Sequence, residues 1–381
     1  MIYLAICVLV VVVACGLYFF QNRFRSKFRR ADRSDAARTP QKPHSSAQLA
    51  TTRPDGELPR PPSRPWRPIP GRLREFRFLR LPEAPPDKVQ DIAAKLRTIP
   101  RPPAALHKLV SAEFLSRATS TELADIVMSE PEVAVKVLAV ANSPLYGLQQ
   151  LVGDLDQAVK FLGMNTVRTI CLQYLLNDTT AAGNPETKKV FERLWNESAL
   201  ACELCFKLAQ LLKLEEPGSF VTQIVLSYLG RQATYSLLDP ADVITLVTLG
   251  LLDRSVFEQE RLGLASAEIG ALLMKDWGLP RNLINVVKEI DETMVSPVGQ
   301  ASTSRRTRNA LCYLCCRLAE DLVNGKCTDI GAFDILNRDS LEYFHLHAYL
   351  DLPSLAPSAE LIHSPEITSP INRMLRTMLG R

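Results

Sequence analysis

The chain has 381 residues, 46% of them hydrophobic, with a formal net charge of +4. That length and apolar content give room for about two domains with a sizeable core and exclude a chain disordered throughout. The small net charge conceals an asymmetry. Residues 21–80 carry 16 Lys or Arg against five Asp or Glu, so a basic segment is joined to a mildly acidic body.

Residues 1–20 carry no charged side chain and are almost wholly apolar, about the length a helix needs to cross a hydrocarbon core of roughly 30 Å. A transmembrane helix is the first expectation. A cleaved signal peptide would open on a basic region, which is missing. The lipoprotein-like run Val12-Val-Ala-Cys15 continues into further apolar residues, as an anchor does. Arg23, Arg25, Lys27, Arg29 and Arg30 follow at once, and the positive-inside rule then keeps everything beyond them on the cytoplasmic side. A juxtamembrane cluster touching anionic headgroups is a simpler use of these cations than contact with nucleic acid.

From residue 31 to 86 the chain holds twelve prolines, many arginines and little periodicity, so a basic Pro/Arg-rich linker is expected over 21–86, disordered and locally extended. Arg60-Pro-Pro-Ser-Arg-Pro-Trp-Arg-Pro68 fits either a polyproline ligand or a stiff spacer. Helical patterning starts at Asp87 and is expected to run to about residue 350, followed by a C-terminal tail over 351–381.

Thr119 and Glu122 have capping-box spacing, so a helix starts near Ser120. Pro131 suits the first turn of the next helix, which runs to about Ala141 and is apolar on most sides. Asn142-Ser-Pro-Leu-Tyr-Gly147 ends it with turn chemistry. Asp154 and Gln157 cap a third helix that stops at Gly163. Further helices are expected over 188–214, 220–238 with a break or bend near Gly230, 264–276, 280–292 and 309–324. No run alternates strictly in the manner of a strand, so the fold class is all-α.

Nine cysteines are an odd number, and those of the body sit in apolar helical runs, which suits a reducing compartment. Cys202 with Cys205, and Cys312 with Cys315, have the separation of zinc half-sites. Neither pair sits in a Gly- or Pro-rich knuckle, and small apolar filling of a helix face explains both.

Ile99-Pro, Thr121-Glu-Leu-Ala124, Pro131, Leu138, Ala141-Asn-Ser143, Tyr146-Gly147, Ala158, Phe161-Leu-Gly163 and Val167-Arg168 follow one another in an order and spacing that resembles the opening of an HDOD domain, the HD-related output domain of bacterial signalling proteins. Trp195 with Ser198, Leu226 with Leu229-Gly230, Glu268 with Gly270, and Trp277 with Leu279-Pro280 extend the resemblance to about residue 295. It implies an HD-like helical domain. HD phosphohydrolases hold metal through histidines and aspartates, because the metal must bind a phosphate and activate a water. Here no histidine occurs between His107 and His345. Ser227 and Tyr228 stand where the resemblance puts a His-Asp doublet, Ser266 where it often puts a histidine, and Ile290-Asp291 where it often puts a histidine pair. A hydroxyl or a phenol does not replace imidazole in a divalent catalytic site.

His345 and His347, two residues apart, would not face one ligand on a helix. Asn142 and Ser143 could line a polar pocket, though a helix cap is the simpler use. No phosphate-cradling glycine loop and no nucleophile elbow is present. The resulting expectation is a single-pass protein of the bacterial inner membrane with its body in the cytoplasm. It has no metal, no cofactor and no catalytic residue, and it acts as a signalling or scaffolding module on an unidentified cytoplasmic partner. Its oligomeric state is left open. The competing expectations are a nucleotide second-messenger receptor, needing Arg168, Arg231 or Lys288 in its pocket, and a diverged phosphohydrolase using carboxylates.

Overall fold

The 3.6-residue periodicity of the sequence is realised in helix after helix of the computed structural model, which describes residues 67–143, 152–180, 185–336 and 340–380. These residues belong to the unit Pro61–Arg381, and among them there is no β-strand. The expected anchor over 1–20, the basic cluster Arg23 to Arg30 and the linker up to residue 66 lie outside the described residues. Within the described residues, no helix is long and apolar enough to cross a membrane.

In chain order the α-helices begin with α1 (Gly71–Glu75), α2 (Pro86–Leu96), α3 (Ala104–Leu109), α4 (Ala112–Arg117), α5 (Ser120–Met128) and α6 (Pro131–Ala141). Next come α7 (Leu155–Leu162), α8 (Met164–Thr180), α9 (Pro185–Leu211), α10 (Pro217–Leu237), α11 (Pro240–Leu246), α12 (Leu251–Leu262) and α13 (Ser266–Asp276). The chain ends with α14 (Arg281–Lys288), α15 (Arg306–Val323), α16 (Leu346–Leu350), α17 (Ser358–Leu361) and α18 (Pro365–Leu379).

Caps explain the early boundaries. Thr119 Oγ1 accepts from the Glu122 amide at 3.2 Å while Glu122 Oε2 accepts from the Thr119 amide at 2.7 Å, so the capping box forms in both directions. Pro131 occupies the first turn of α6, and Asp154 accepts from the Gln157 amide at 2.7 Å. Gly163 closes α7 at φ +81°, a backbone conformation that a side chain would strain. Ser111 caps a separate helix α4, which divides the stretch after Pro103 in two.

The long helices α9, α10 and α15 form the centre, with α13 against α10 and with α8 and α18 against α9. Helix α10 runs through Gly230 without the break that was one of two expectations there. The glycine serves a helix crossing instead. A Cβ there would meet the Ser266 main-chain oxygen at 2.5 Å, and a Cβ on Gly270 would meet Gly230 Cα at 2.7 Å.

Residues 67–86, expected in the linker, and 351–380, expected as a tail, carry helices and buried side chains. From residue 67 the chain lies on the body: Leu73 and Ala84 are buried, Arg72 pairs with Asp253, and Leu79 N donates to Gln259 Oε1 at 2.7 Å. Arg80 reaches Glu292, and its Nη1 lies 3.2 Å from Glu268 Oε1. The apolar residues between the arginines supply the contact, and the arginines find carboxylates far along the chain. The expected tail contains α18, whose Ile367 and Ile371 are fully buried.

Replacing Gly230 or Gly270 by alanine drives backbone into backbone and should lower unfolding free energy by about 1–3 kcal/mol, the usual cost of overpacking. Gly153→Ala, with nothing within 4 Å of the added carbon, should stay near wild type in the same denaturant titration.

Candidate functional site

Ser227 and Tyr228 lie on α10, which packs against α13 and α15. The Gly230 crossing brings Ser266 of α13 against α10, and Asp291 lies close enough to Cys316 and Arg317 of α15 to act electrostatically on both. Ser227 turns its Oγ back to the Ile224 carbonyl at 2.8 Å. The buried Tyr228 hydroxyl has no hydrogen-bond partner, and its ring faces the Arg231 guanidinium at 5.4 Å.

An ion-pair network that the sequence did not announce fills this region. Glu320 of α15 is its hub. Its Oε1 lies 2.8 Å from Arg254 Nη1 and its Oε2 accepts from Arg254 Nη2 at 3.3 Å, a two-pronged pair. The same carboxylate lies 2.7 Å from Arg317 Nη1 and 3.6 Å from Arg231 Nη1. Arg231 also donates to Glu197 of α9 at 2.7 Å, and Arg317 lies 3.8 Å from Glu342. Glu258 accepts from Ser266 twice, from Oγ at 2.6 Å and from the amide at 2.8 Å. Arg254, Glu258, Glu197, Arg317 and Glu320 are each at most 3% exposed. This leaves them almost no water to offset their charge.

Burial and neighbours pull these groups in opposite directions. Burial alone would raise the Glu320 carboxyl, but Arg254, Arg317 and Arg231 together hold it well below the ordinary carboxylate range. Burial wins at Glu197 and Glu258, whose carboxyls are raised despite the arginines beside them. For the arginines Arg231 and Arg317, burial is outweighed by the carboxylates and the guanidinium is held charged more firmly than usual.

The residues at this site do not fit a divalent cation. Hydroxyls and a phenol stand in the ligand positions, guanidinium groups occupy the neighbourhood, and among the described residues no three His, Cys, Asp or Glu are placed to hold a metal ion. Arg231 and Arg254 are paired with the buried carboxylates Glu197 and Glu320.

Of the three cations that a nucleotide pocket would require, two are committed elsewhere. Arg168 is buried, with its guanidinium on the Leu109 carbonyl at 3.0 Å, Thr222 Oγ1 at 2.8 Å and the Gly218 carbonyl, and burial lowers it to about 10. Arg231 belongs to the network. Lys288 lies 3.0 Å from Glu268 and lines an open cleft of about 340 Å³ with Arg80, Lys275 and Arg281.

Asn142 has a structural part. Asn142 Nδ2 donates to the carbonyls of Leu138 and Val152, both at 2.9 Å, and its Oδ1 accepts from the Val152 amide at 2.7 Å. It thus ends α6 and ties the far side of the following segment to it. Tyr146 and Gly147 lie outside the described residues. The buried Ser143 hydroxyl has no partner. Trp277 is buried, and Pro280 precedes α14. Cys202, Cys205, Cys312 and Cys315 are free and buried at the α9–α15 contact, and burial pushes their thiols up. His345 is buried against Phe344, whereas His347 Nε2 sits 2.9 Å from the Ile335 carbonyl.

Sequence reasoning missed Glu197, Arg254, Glu258, Arg317 and Glu320. One signal was available: Arg317 interrupts the otherwise uncharged run from Ala310 to Ala319, and Glu320 follows three residues after it.

Glu320→Gln leaves three buried guanidinium groups short of a counter-charge and should cost about 3–5 kcal/mol at neutral pH. A depressed carboxyl contributes stability that is present above its unfolded-state value of about 4.3 and lost as pH falls toward the folded value. The difference between the variant and wild type in thermal unfolding should therefore narrow below about pH 4.

The HDOD domain profile matches residues 99–293. No curated protein matches the chain. Among solved structures, the chain is similar to a Shewanella amazonensis SB2B protein named "Putative phosphohydrolase", with 22% identity, TM-score 0.51, and 76% of this chain and 98% of that one covered. It is also similar to an HDOD domain protein with unknown function from Geobacter sulfurreducens, with 17% identity, TM-score 0.51 and coverage of 75% and 99%. A "Putative signal transduction protein" from Marinobacter aquaeolei VT8 matches with 16% identity, TM-score 0.54 and coverage of 77% and 66%. These likenesses show the fold, and the profile spans just over half of the chain, so the chain belongs to the HDOD domain family.

Proposed function

We propose that the chain is a membrane-tethered, non-catalytic signalling or scaffolding protein whose HDOD domain acts by binding a protein partner on the cytoplasmic side. The observation that carries this reading is the Glu320 network. A metallohydrolase needs an open coordination position at which a bound water loses its proton. A guanidinium supplies positive charge but no such position, and here three of them are ion-paired with buried carboxylates. Ser227, Tyr228 and Ser266 add no ligand in place of imidazole.

The tether rests on the charge-free stretch 1–20 and its basic flank. An anchored domain searches a thin layer at the membrane, so the linker raises its effective concentration toward partners held there. A second reading, a receptor for an anionic nucleotide, is favoured by one feature only: the cleft lined by Arg80, Lys275, Arg281 and Lys288.

The purified full chain should contain no stoichiometric transition metal by elemental analysis and should not hydrolyse cyclic nucleotides or nucleoside phosphates with manganese, magnesium or iron added. Stoichiometric metal together with turnover overturns the reading. Deleting residues 1–20 should move the protein from the membrane pellet to the soluble fraction, and an unchanged pellet removes the tether from it.

A further inference from the structure

Helices α13 and α14 are joined by the short turn Trp277-Gly-Leu-Pro280, and the open cleft of about 340 Å³ runs along the seam between them. Lys288 Nζ at the end of α14 lies 3.0 Å from Glu268 Oε1 near the start of α13, so the second helix doubles back along the first. Glu268 and Lys275 stand seven residues apart on α13, as do Arg281 and Lys288 on α14. Seven residues are two helical turns, about 10 Å of rise. The cleft is therefore two turns long, with Glu268 and Lys288 at one end and Lys275 and Arg281 at the other.

The two ends differ in charge. At the first, Arg80 Nη1 lies 3.2 Å from the same Glu268 oxygen and Arg80 also pairs with Glu292, so two cations face two carboxylates. At the turn end Lys275 and Arg281 are exposed and have no ion pair among the described residues. The nearest acid in the sequence, Asp276, is engaged by Arg101 at 3.4 Å. Residues 81–381 carry 29 Lys or Arg against 36 Asp or Glu, so these two cations stand out on an acidic body. Between the ends the lining is aliphatic, with Leu81, Ala271, Leu272 and Ile284.

Charge and lining together narrow what the cleft accepts. An acidic partner meets like charge over much of this body and opposite charge at the turn end, which steers it there. A nucleotide finds no aromatic side chain in the cleft on which to stack its base. A helix laid along the seam has the matching period. With a carboxylate on Lys275 and Arg281, its apolar side chains three and four residues away fall over Leu272 and Ile284, and its next turn reaches the balanced end.

We propose that the α13–α14 cleft is the docking site for an acidic amphipathic helix of a protein partner, held by a carboxylate on Lys275 and Arg281 and by apolar side chains in the aliphatic middle. The proposal rests on the reading of the domain as a protein-binding module and names the chemistry of what it binds.

The test pans a displayed library of helical peptides on the full chain in phosphatidylcholine nanodiscs and measures enriched peptides by fluorescence anisotropy. These should carry Asp or Glu with apolar residues three and four positions away, and should bind saturably with Kd on the order of 100 μM or tighter. Lys275→Glu combined with Arg281→Glu turns attraction into repulsion and should weaken them about tenfold or more. Ala271→Gln, which lengthens a side chain in the cleft without changing charge, should also weaken them. Failure to enrich acidic peptides overturns the proposal, as does an affinity unmoved by either change. So does binding of phosphatidylglycerol vesicles or ATP that depends on Lys275 and Arg281 while no peptide binds. None of these outcomes involves metal or turnover, so failure here is distinct from failure of the non-catalytic reading.

Discussion

The Glu320 carboxylate is the constraint on which the centre of the domain depends. Arg231 of α10, Arg254 of α12 and Arg317 of α15 all meet at it, and Glu197 holds α9 to the same group through Arg231. Removing several charges from water is expensive, and their mutual attraction offsets that cost only when geometry and hydrogen bonds are good. The network is therefore not a surplus of stability. It is a condition on packing: the four helices must sit where each guanidinium has its carboxylate, because any displacement leaves a charge buried alone. Apolar packing of the same volume often holds helices together equally well.

This condition bears on the relation between fold and chemistry. A divalent cation and a guanidinium both compensate carboxylates, but they differ in what they leave open. A metal leaves coordination positions for substrate and water. Arginine spends its donors on fixed partners in a planar array. In this chain Glu197 and Glu320 are engaged by arginine side chains that lie on the helices themselves, so the charge balance of the centre is built into the polypeptide. The Gly230–Gly270 crossing, which brings Ser266 onto α10, is a matter of packing: a glycine on each helix lets the two backbones meet.

Much of the helical frame was legible because its signals are local. The Thr119–Glu122 capping box, the Asp154 cap, Pro131 at a first turn and Gly163 at a positive φ are each decided by a few neighbouring residues. Asn142 was legible as a cap, but its bonds to Val152, ten residues on, were not. The segment after residue 67 read as linker because its prolines and arginines say nothing about where Asp253, Glu268 and Glu292 will lie. The network failed for the same reason at greater range. Arg254 and Glu320 stand 66 residues apart, and Arg231 and Glu197 stand 34 apart. Pattern reading places charges at helix surfaces by default, and only the fold reveals that these surfaces face one another.

Helix α9 joins the two polar regions of the domain. Glu197 enters the arginine network, whereas its neighbours Trp195 and Asn196, with Ala199 and Cys202 further on, line a cavity between α8, α9 and α18. Adjacent residues on a helix point about 100° apart, so one rod presents a charged face and an amphipathic face with no extra machinery. The pinned charged face also sets how the other can behave. Coupling between sites requires an element with two arrangements whose balance both sites bias. Sliding α9 would unpair Glu197 from Arg231 and leave a buried charge alone. The wall that α9 gives the cavity is fixed by that pairing, whereas α18, whose Met374, Thr377 and Met378 form another wall, carries none of the network's charges.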